Sequence, residues 1–302
     1  LTRLLAGRRD ARLVVASLVL GGVAACLVGL GQLATGIGPI EAEGVDRIRA
    51  AYRSPNNLAL YLDRVVPPAV ALALAGAGAI WAAAALALLI GLGLTYSVGG
   101  WLATGAGVGA AVVLARGRRA LALLALVALV ALAGALAARP ERVVGHLDLA
   151  ADSTSGVRVL LWRSALEMLR DQPLFGVGLD NFVYRYNPAR GGDYMSPAGW
   201  REPDLSHPHN LLLDWWLSLG VLGALVLARL LVTAWRLGRA AWRATEGDRL
   251  GRALAAGLLG WLVATLVHGA IDNSFFLPDL AVLWWTSYAL LAMLAEERDR
   301  SS

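Results

Sequence analysis

Over 302 residues the chain is 58% hydrophobic and only 16% charged, with a mean hydropathy of +0.60, which excludes an ordinary soluble domain. Its net charge of +5 does not point to nucleic acid, because every basic residue is an arginine and many lie in short segments between apolar runs, where they orient a membrane protein. The one cysteine, Cys26, lies within the first apolar run, which rules out a disulfide framework, a CxxC redox motif and a thiolate metal cage.

Crossing about 30 Å of hydrocarbon takes roughly 20 apolar residues. Eight runs meet that demand, at 13–33, 57–75, 78–96, 98–115, 120–138, 209–232, 253–270 and 279–295. Arg3, Arg8, Arg9 and Arg12 precede the first, Arg116, Arg118 and Arg119 follow the fourth, and Arg236, Arg239, Arg243, Arg249 and Arg252 follow the sixth. Eight crossings put all three clusters on one side, which the positive-inside rule makes cytoplasmic, with both termini inside. The stretch from Val65 to Thr95 has no charged break; Gly76 and Gly78 mark the turn that divides it into two spans, since one long helix would reverse the later topology. The first residue is a leucine, and the first apolar run is too long and wrongly flanked for a cleaved signal peptide, so earlier spans are expected upstream.

Two longer segments, 34–56 and 139–208, then fall outside. The expected organisation is a five-span membrane part at 1–138, an outer loop at 139–208 and a three-span part at 209–302. Arginines and carboxylates are mixed through the long loop, the pattern of a solvated segment, and loops of that length usually carry function. Within it, DSTSGVRVLLWRSALEMLRDQP predicts a helix. Ser153, Thr154 or Ser155 can cap its start, Pro173 stops it, and Val157, Leu160, Leu161, Ala165 and Met168 recur at helical spacing. This helix is expected to lie along the membrane surface, with Arg158, Trp162 and Leu169 on an adjoining stripe that faces the bundle. A plain interfacial helix with snorkelling arginines is the alternative. PLFGVGLDNF follows, where Gly176 and Gly178 permit a sharp turn, and then SHPHNLLLDWWLSLGVLG, two histidines at the entrance to an apolar helix.

The order Arg158, Trp162, Pro173, Gly176, Gly178, Phe182, then His209-Asn210, Gly220 and Gly223 resembles the O-antigen ligase and O-antigen polymerase superfamily. Members share an R-xxx-W helix, a P-x-x-G-x-G-x-x-x-F turn and an H-N-x9-G-x-x-G pattern opening a membrane helix. SPNNLALYLDRVVP at 54–67 is similar to the family's asparagine-led span, LTYSVGGWLA at 94–103 to its T-x-S-R-G-x-W-L segment, and HGAIDNSFFLPDLAVLWW at 268–285 to its late H-x-x-x-D segment. The resemblance implies an all-α, polytopic, type C glycosyltransferase-like enzyme of the bacterial cytoplasmic membrane. Such an enzyme moves a glycan from a polyprenyl diphosphate lipid to an acceptor on the outer side, which is lipid A core, another repeat unit or a protein. It further implies no cofactor and no essential metal; Glu41 and Glu43 in the first outer loop could hold a cation but read as solvated loop charge.

Transfer from a lipid diphosphate needs a base for the acceptor hydroxyl and a cation for the leaving group. Histidine, with a pKa of about 6.5, suits the first task, and a planar arginine fork suits the second. The resemblance assigns these catalytic roles to His209 and Arg158, with His207 the alternative base. Trp162, Arg185, Asn210, Asp214, His207 and Arg53 are read as substrate-binding, and Asn210 and Asp214, one helical turn apart, are expected to meet in a hydrogen bond or to orient the histidine. Gly220 and Gly223 are read as positions of close helix packing, and His268 and Asp272 as residues that can line the site. Without the family pattern, His209 reads as a helix-start residue bonded to nearby backbone.

Two departures stand out. Val98 occupies the place where many relatives have arginine, and Ser218 the place where a glutamate is frequent; if that arginine binds diphosphate, Arg53, Arg64 or Arg185 must substitute, or activity is reduced or lost. Two other readings stay open: a polysaccharide or lipid transporter, which would show paired ionisable residues near the bilayer midplane, and an inactive relative that serves as an assembly scaffold.

Overall fold

The computed structural model of the chain describes residues 7–42, 44–117, 154–196, 203–272 and 275–296. The expected span at 120–138, with Arg118, Arg119, Glu43 and His146, lies outside them. Among the described residues the order is α1 (Arg8–Thr35), a hairpin of β1 (Ile40–Ala42) and β2 (Val45–Arg47), α2 (Pro55–Leu74), α3 (Ala79–Leu94), α4 (Val98–Arg116), α5 (Thr154–Asp171), α6 (Phe182–Tyr186), a 3-10 turn at Pro188–Arg190, α7 (Leu211–Ala244), α8 (Arg249–Gly269) and α9 (Pro278–Glu296). Six of these helices, α1, α2, α4, α7, α8 and α9, are long and apolar enough to cross a membrane. The protein is an all-α polytopic membrane bundle. The hairpin inside the first loop had no signal in the sequence.

The break between the second and third expected spans is real. Gly76 and Gly78 take positive φ of 71° and 122°, ending α2 and starting α3, and the two helices pack side by side. However, α3 has only 16 residues, which at 1.5 Å per residue covers roughly 24 Å, less than the hydrocarbon thickness.

The described residues form two compact units. The first comprises those of Leu1–Ala122, Thr233–His268 and Phe276–Ser302; the second comprises those of Leu123–Val232 and Gly269–Phe275. In the first, α2 is the central helix, packed against α1, α3 and α4. Ser54 caps its start by accepting the Asn57 amide at 3.2 Å. Pro67 and Pro68 lie inside it, where each removes a backbone donor, and glycines of neighbouring helices fill the adjoining space. A Cβ on Gly107 of α4 would lie 2.6 Å from the Gly260 carbonyl of α8, and Gly257 meets the backbone of Pro68. Small residues here let helix backbones approach where lipid supplies no hydrophobic drive between them.

The expected arginine clusters converge on one end of this unit. Arg8 donates to Asp248 at 2.9 Å and to the Ala244 carbonyl at 3.2 Å, tying the start of α1 to the α7–α8 turn. Burial alone would raise the Asp248 carboxyl, but the Gly251 amide, Arg8 and the Leu250 amide outweigh it and hold its pKa below the ordinary range. Arg116 donates to the Leu74 carbonyl and lines a small cavity with Arg249 and Arg252. One end of the unit therefore collects residues from before the first expected span, after the fourth and after the sixth.

The interior of this unit also holds charge. Asp63 and Arg64 of α2 and His268 of α8 are fully buried; His268 Nδ1 bonds the Asp63 carboxylate, and Arg64 donates to the Leu60 carbonyl and lies 3.5 Å from Asp63. His268, expected to line the site, is instead sealed in this cluster. Asp63 accepts from two partners, so its loss strands more buried charge than the loss of His268. Asp63→Leu should destabilise the protein by about 3–5 kcal/mol, and His268→Leu by less, measured as unfolding in detergent micelles; equal and negligible effects would show the cluster to be structurally idle.

Candidate active site

The second unit is built on the apolar face of α5. Leu161, Ala165, Met168 and Leu169 are buried against Phe182 and Tyr186 of α6 and Leu217 of α7, with the Phe182 and Tyr186 rings stacked at 5.4 Å. Of the residues that helical spacing singled out, Leu161, Ala165 and Met168 are in this core and Val157 packs partly buried against it, while Leu160 is not part of it and Leu169 joins from the neighbouring stripe. Ser164 donates to the Tyr194 carbonyl at 2.6 Å and Tyr194 to Asp171 at 2.7 Å; this bond, with some burial, raises the Tyr194 pKa. The loop from 187 to 196 is thereby laced onto α5.

Gly220 breaks α7. Its φ of 69° and ψ of −168° interrupt the helix, so the Val221 amide turns away from the helical ladder and donates to the Leu174 carbonyl at 3.0 Å. The Leu217 carbonyl, released by the same kink, accepts from Val177 at 2.7 Å and from Gly178 at 3.1 Å. Trp216 adds a bond from its indole to the Pro173 carbonyl at 2.8 Å. The GxG turn and the helix kink thus exchange backbone hydrogen bonds. A Cβ on Gly176 would strike the carbonyls of Trp216 and Leu217, and one on Gly220 the backbone of Leu174 and Phe175. Gly220 does allow close approach, as the sequence suggested, but to a loop rather than to a helix.

The start of α7 is organised around His209 and Asn210. His209 adopts a left-handed backbone with φ 49°, a conformation that costs an L-residue roughly 1–2 kcal/mol. Three sets of bonds offset that cost. The His209 amide donates to His207 Nδ1 at 3.3 Å, the Trp162 indole donates to the His209 carbonyl at 3.3 Å, and Asn210 donates to the Ala270 carbonyl at 2.9 Å. Asn210 Oδ1 also accepts the Leu213 amide at 3.0 Å, making Asn210 the N-cap of the helix. The paired H-N thus has a local cause: the asparagine caps, and the histidine before it takes the turn.

So held, the His209 ring meets Asp272. His209 Nδ1 lies 2.6 Å from Asp272 Oδ1, and Arg158 Nη2 lies 3.9 Å from Asp272 Oδ2. One buried carboxylate therefore stands between the imidazole and the guanidinium. If Nδ1 carries the proton toward Asp272, Nε2 keeps a lone pair. Arg158 Nε is buried and makes no hydrogen bond among the described residues, an unmet donor that a bound anion would satisfy. The His207 ring lies 4.2 Å from that of His209. Burial, then His209, press its pKa down to about 4, so His207 is neutral at neutral pH.

The remaining expected residues divide. Trp162, His207 and Asn210 join the site through the bonds above. The Asn210 and Asp214 side chains do not pair: that of Asn210 is engaged by Leu213 and Ala270, while that of Asp214 is buried with Oδ2 making no hydrogen bond among the described residues, and the two residues meet through the helical bond from the Asp214 amide to the Asn210 carbonyl. Arg185 is exposed on α6, where Gln172, with its amide oriented to suit both neighbours, accepts from it at 2.7 Å. Arg53 is exposed in the first unit and Arg64 is sealed beside Asp63. Val98 opens α4, and Arg47, which sequence reading passed over, donates to the nearby Thr95 carbonyl at 2.7 Å and to Asn56 at 3.0 Å. The spacing of Asp272 from His268 is visible in the sequence, but nothing there says which of the two turns toward His209.

Gly191 also has positive φ, at 88°, but faces open space, unlike Gly220. Gly191→Ala should therefore cost only the conformational penalty of about 1–2 kcal/mol, and Gly220→Ala clearly more. In Gly220→Ala the amides of Val177, Gly178 and Val221 should exchange faster in deuterium labelling; unchanged protection would deny the bond exchange between turn and helix.

No curated protein matches the chain. A family model described as O-antigen ligase matches residues 83–228, a stretch that includes Arg158, Trp162, both glycines of the turn, His209, Asn210 and Gly220. With the polytopic helical architecture, this match to just under half of the chain supports membership of the O-antigen ligase and polymerase superfamily, a glycosyltransferase-like class of membrane enzymes.

Proposed function

We propose that the protein transfers a glycan from a polyprenyl diphosphate carrier to an acceptor hydroxyl or amide, with His209 as general base and Arg158 on the diphosphate. The observation that carries this reading is the shared carboxylate: Asp272 contacts His209 Nδ1 at 2.6 Å through one oxygen and Arg158 at 3.9 Å through the other. Asp272 accepts a hydrogen bond from Nδ1–H and orients the ring, leaving Nε2 to take the proton of the acceptor and the imidazolium so formed paired with the carboxylate. As the acceptor oxygen bonds to the anomeric carbon, the bond from that carbon to the diphosphate breaks. Negative charge then grows on the leaving oxygens, where Arg158, its Nε otherwise unmet, stabilises it. Asp272 is loosely spaced from Arg158, so the guanidinium can turn from carboxylate to phosphate.

Trp162 and Asn210 act as positioning residues, since one holds the His209 carbonyl and the other ties the start of α7 to the 270 segment. Arg53, Arg185, Asp214 and His207 are assigned to substrate binding on the family resemblance, and no cofactor or metal enters the chemical step. In the bacterial cytoplasmic membrane, both termini face the cytoplasm and the segment 139–208 the outer side, where the donor diphosphate and a lipid A core, glycan or protein acceptor meet. The buried Asp63–His268 pair is the kind of ionisable pairing within spans that a transporter would show, so an assay must separate transport from transfer.

In proteoliposomes with a polyprenyl diphosphate glycan and a candidate acceptor, wild type should release the diphosphate lipid and form the glycosylated acceptor. His209→Ala should lower kcat by about 10²- to 10⁴-fold. Asp272→Asn should lower it less, and Arg158→Ala should lower kcat without changing acceptor KM. Full activity in His209→Ala and Arg158→Ala would reject the site. Movement of lipid across the bilayer without covalent transfer would favour the transporter, and neither activity in wild type would favour the scaffold.

A further inference from the structure

We propose that His207, His209 and Asp272 form a binding site for a divalent transition-metal ion of the zinc type. Ligand atoms of the three residues lie within 4.8 Å of one another. In a tetrahedral zinc site with bonds of about 2.0–2.2 Å, ligand atoms are roughly 3.3 Å apart, so shifts on the order of an ångström assemble the cage. Two imidazoles with one carboxylate suit zinc and its neighbours, whereas magnesium and calcium prefer all-oxygen shells.

The cluster has the parts of such a site. Asp272 is buried, a fixed anchor, while both rings are half-buried and can be reached by a hydrated ion. The ion takes the place of the proton between His209 Nδ1 and Asp272 Oδ1, and His207 enters by giving up its long bond from the His209 amide, at 3.3 Å. Three protein ligands leave the fourth position to water. Arg158, whose Nη2 is 3.9 Å from Asp272 Oδ2, opposes the ion through like charge. Its influence gives the proposal a distinctive sign: removing this arginine should strengthen binding, while removing any ligand should weaken it.

A metal on Nδ1 leaves the His209 ring with its remaining proton on Nε2, where the base must be vacant. That the ion inhibits transfer therefore rests on the reading of His209 as base; that it binds does not.

The test is titration of chelator-treated full-length chain in detergent with Zn²⁺ by calorimetry, and with Co²⁺ by visible absorption. One equivalent should bind, with intense tetrahedral Co²⁺ bands, undisturbed by millimolar Mg²⁺. His207→Ala, His209→Ala and Asp272→Asn should each weaken binding at least tenfold, and Arg158→Ala should tighten it severalfold, a gain that misfolding cannot produce. Absence of stoichiometric binding, indifference to the three ligand substitutions, or weaker binding in Arg158→Ala would overturn the site. Micromolar Zn²⁺ should also slow transfer reversibly, with EDTA restoring it. Stoichiometric binding with the expected variant pattern but undiminished transfer would uphold the metal site and overturn the assignment of His209 as base.

Discussion

A single carboxylate, that of Asp272, organises the site. Its two oxygens face two different nitrogen groups, the imidazole of His209 at 2.6 Å and the guanidinium of Arg158 at 3.9 Å, and it is itself almost wholly buried. A buried carboxylate without partners would be strongly unfavourable. Its presence therefore draws both groups toward it, and residues far apart in sequence become neighbours. The unequal distances matter as well: the short contact fixes one ring, whereas the long one leaves the arginine able to move.

That arrangement needs α5, the start of α7 and the 270 segment to keep their places. Backbone bonds do this work. The kink at Gly220 frees one carbonyl and one amide of α7, and the loop after α5 takes up both. In a lipid environment an unmet backbone group is especially unfavourable, so the exchange fixes the loop to the helix more firmly than side-chain contacts would. At the other end of the same helix segment, Asn210 caps α7 and binds the Ala270 carbonyl, holding the segment that carries Asp272. The glycine and asparagine positions of the family pattern are thus supports for the histidine, and their spacing is set by the length of helix between cap and kink.

Much of this architecture was legible because membrane spans obey a coarse rule of length and polarity. The existence and order of the described spans, the break at Gly76 and Gly78, the apolar face of α5 and the convergence of the arginine clusters all follow from composition and period, while the ends of the helices, such as the extension of α7 to Ala244, do not. What escaped were features set by pairing across distance. The hairpin of β1 and β2 is only three residues per strand, too short for alternation to register. The Asn210–Asp214 side-chain bond failed because both partners of the asparagine side chain, a helix amide and a distant carbonyl, are backbone groups that no side-chain pattern reveals. Asp63 and His268 looked like unrelated polar residues on separate spans, and only packing shows that each is the other's partner.

Among the described residues there are two imidazole–carboxylate pairs, and burial distinguishes them. In His268–Asp63 the side chains are 1% and 0% exposed; in His209–Asp272 they are 20% and 6% exposed. A base must first meet its substrate and afterwards return its proton to solvent, and a pair sealed on every side can do neither without opening the fold. The sealed pair also has Arg64 beside it, so its charge is balanced within the bundle and asks for no ligand. The half-open pair has an arginine whose Nε is unmet among the described residues and a ring that is 20% exposed. The same two functional groups thus suit cohesion where water is excluded and, on the proposed reading, chemistry where it is admitted.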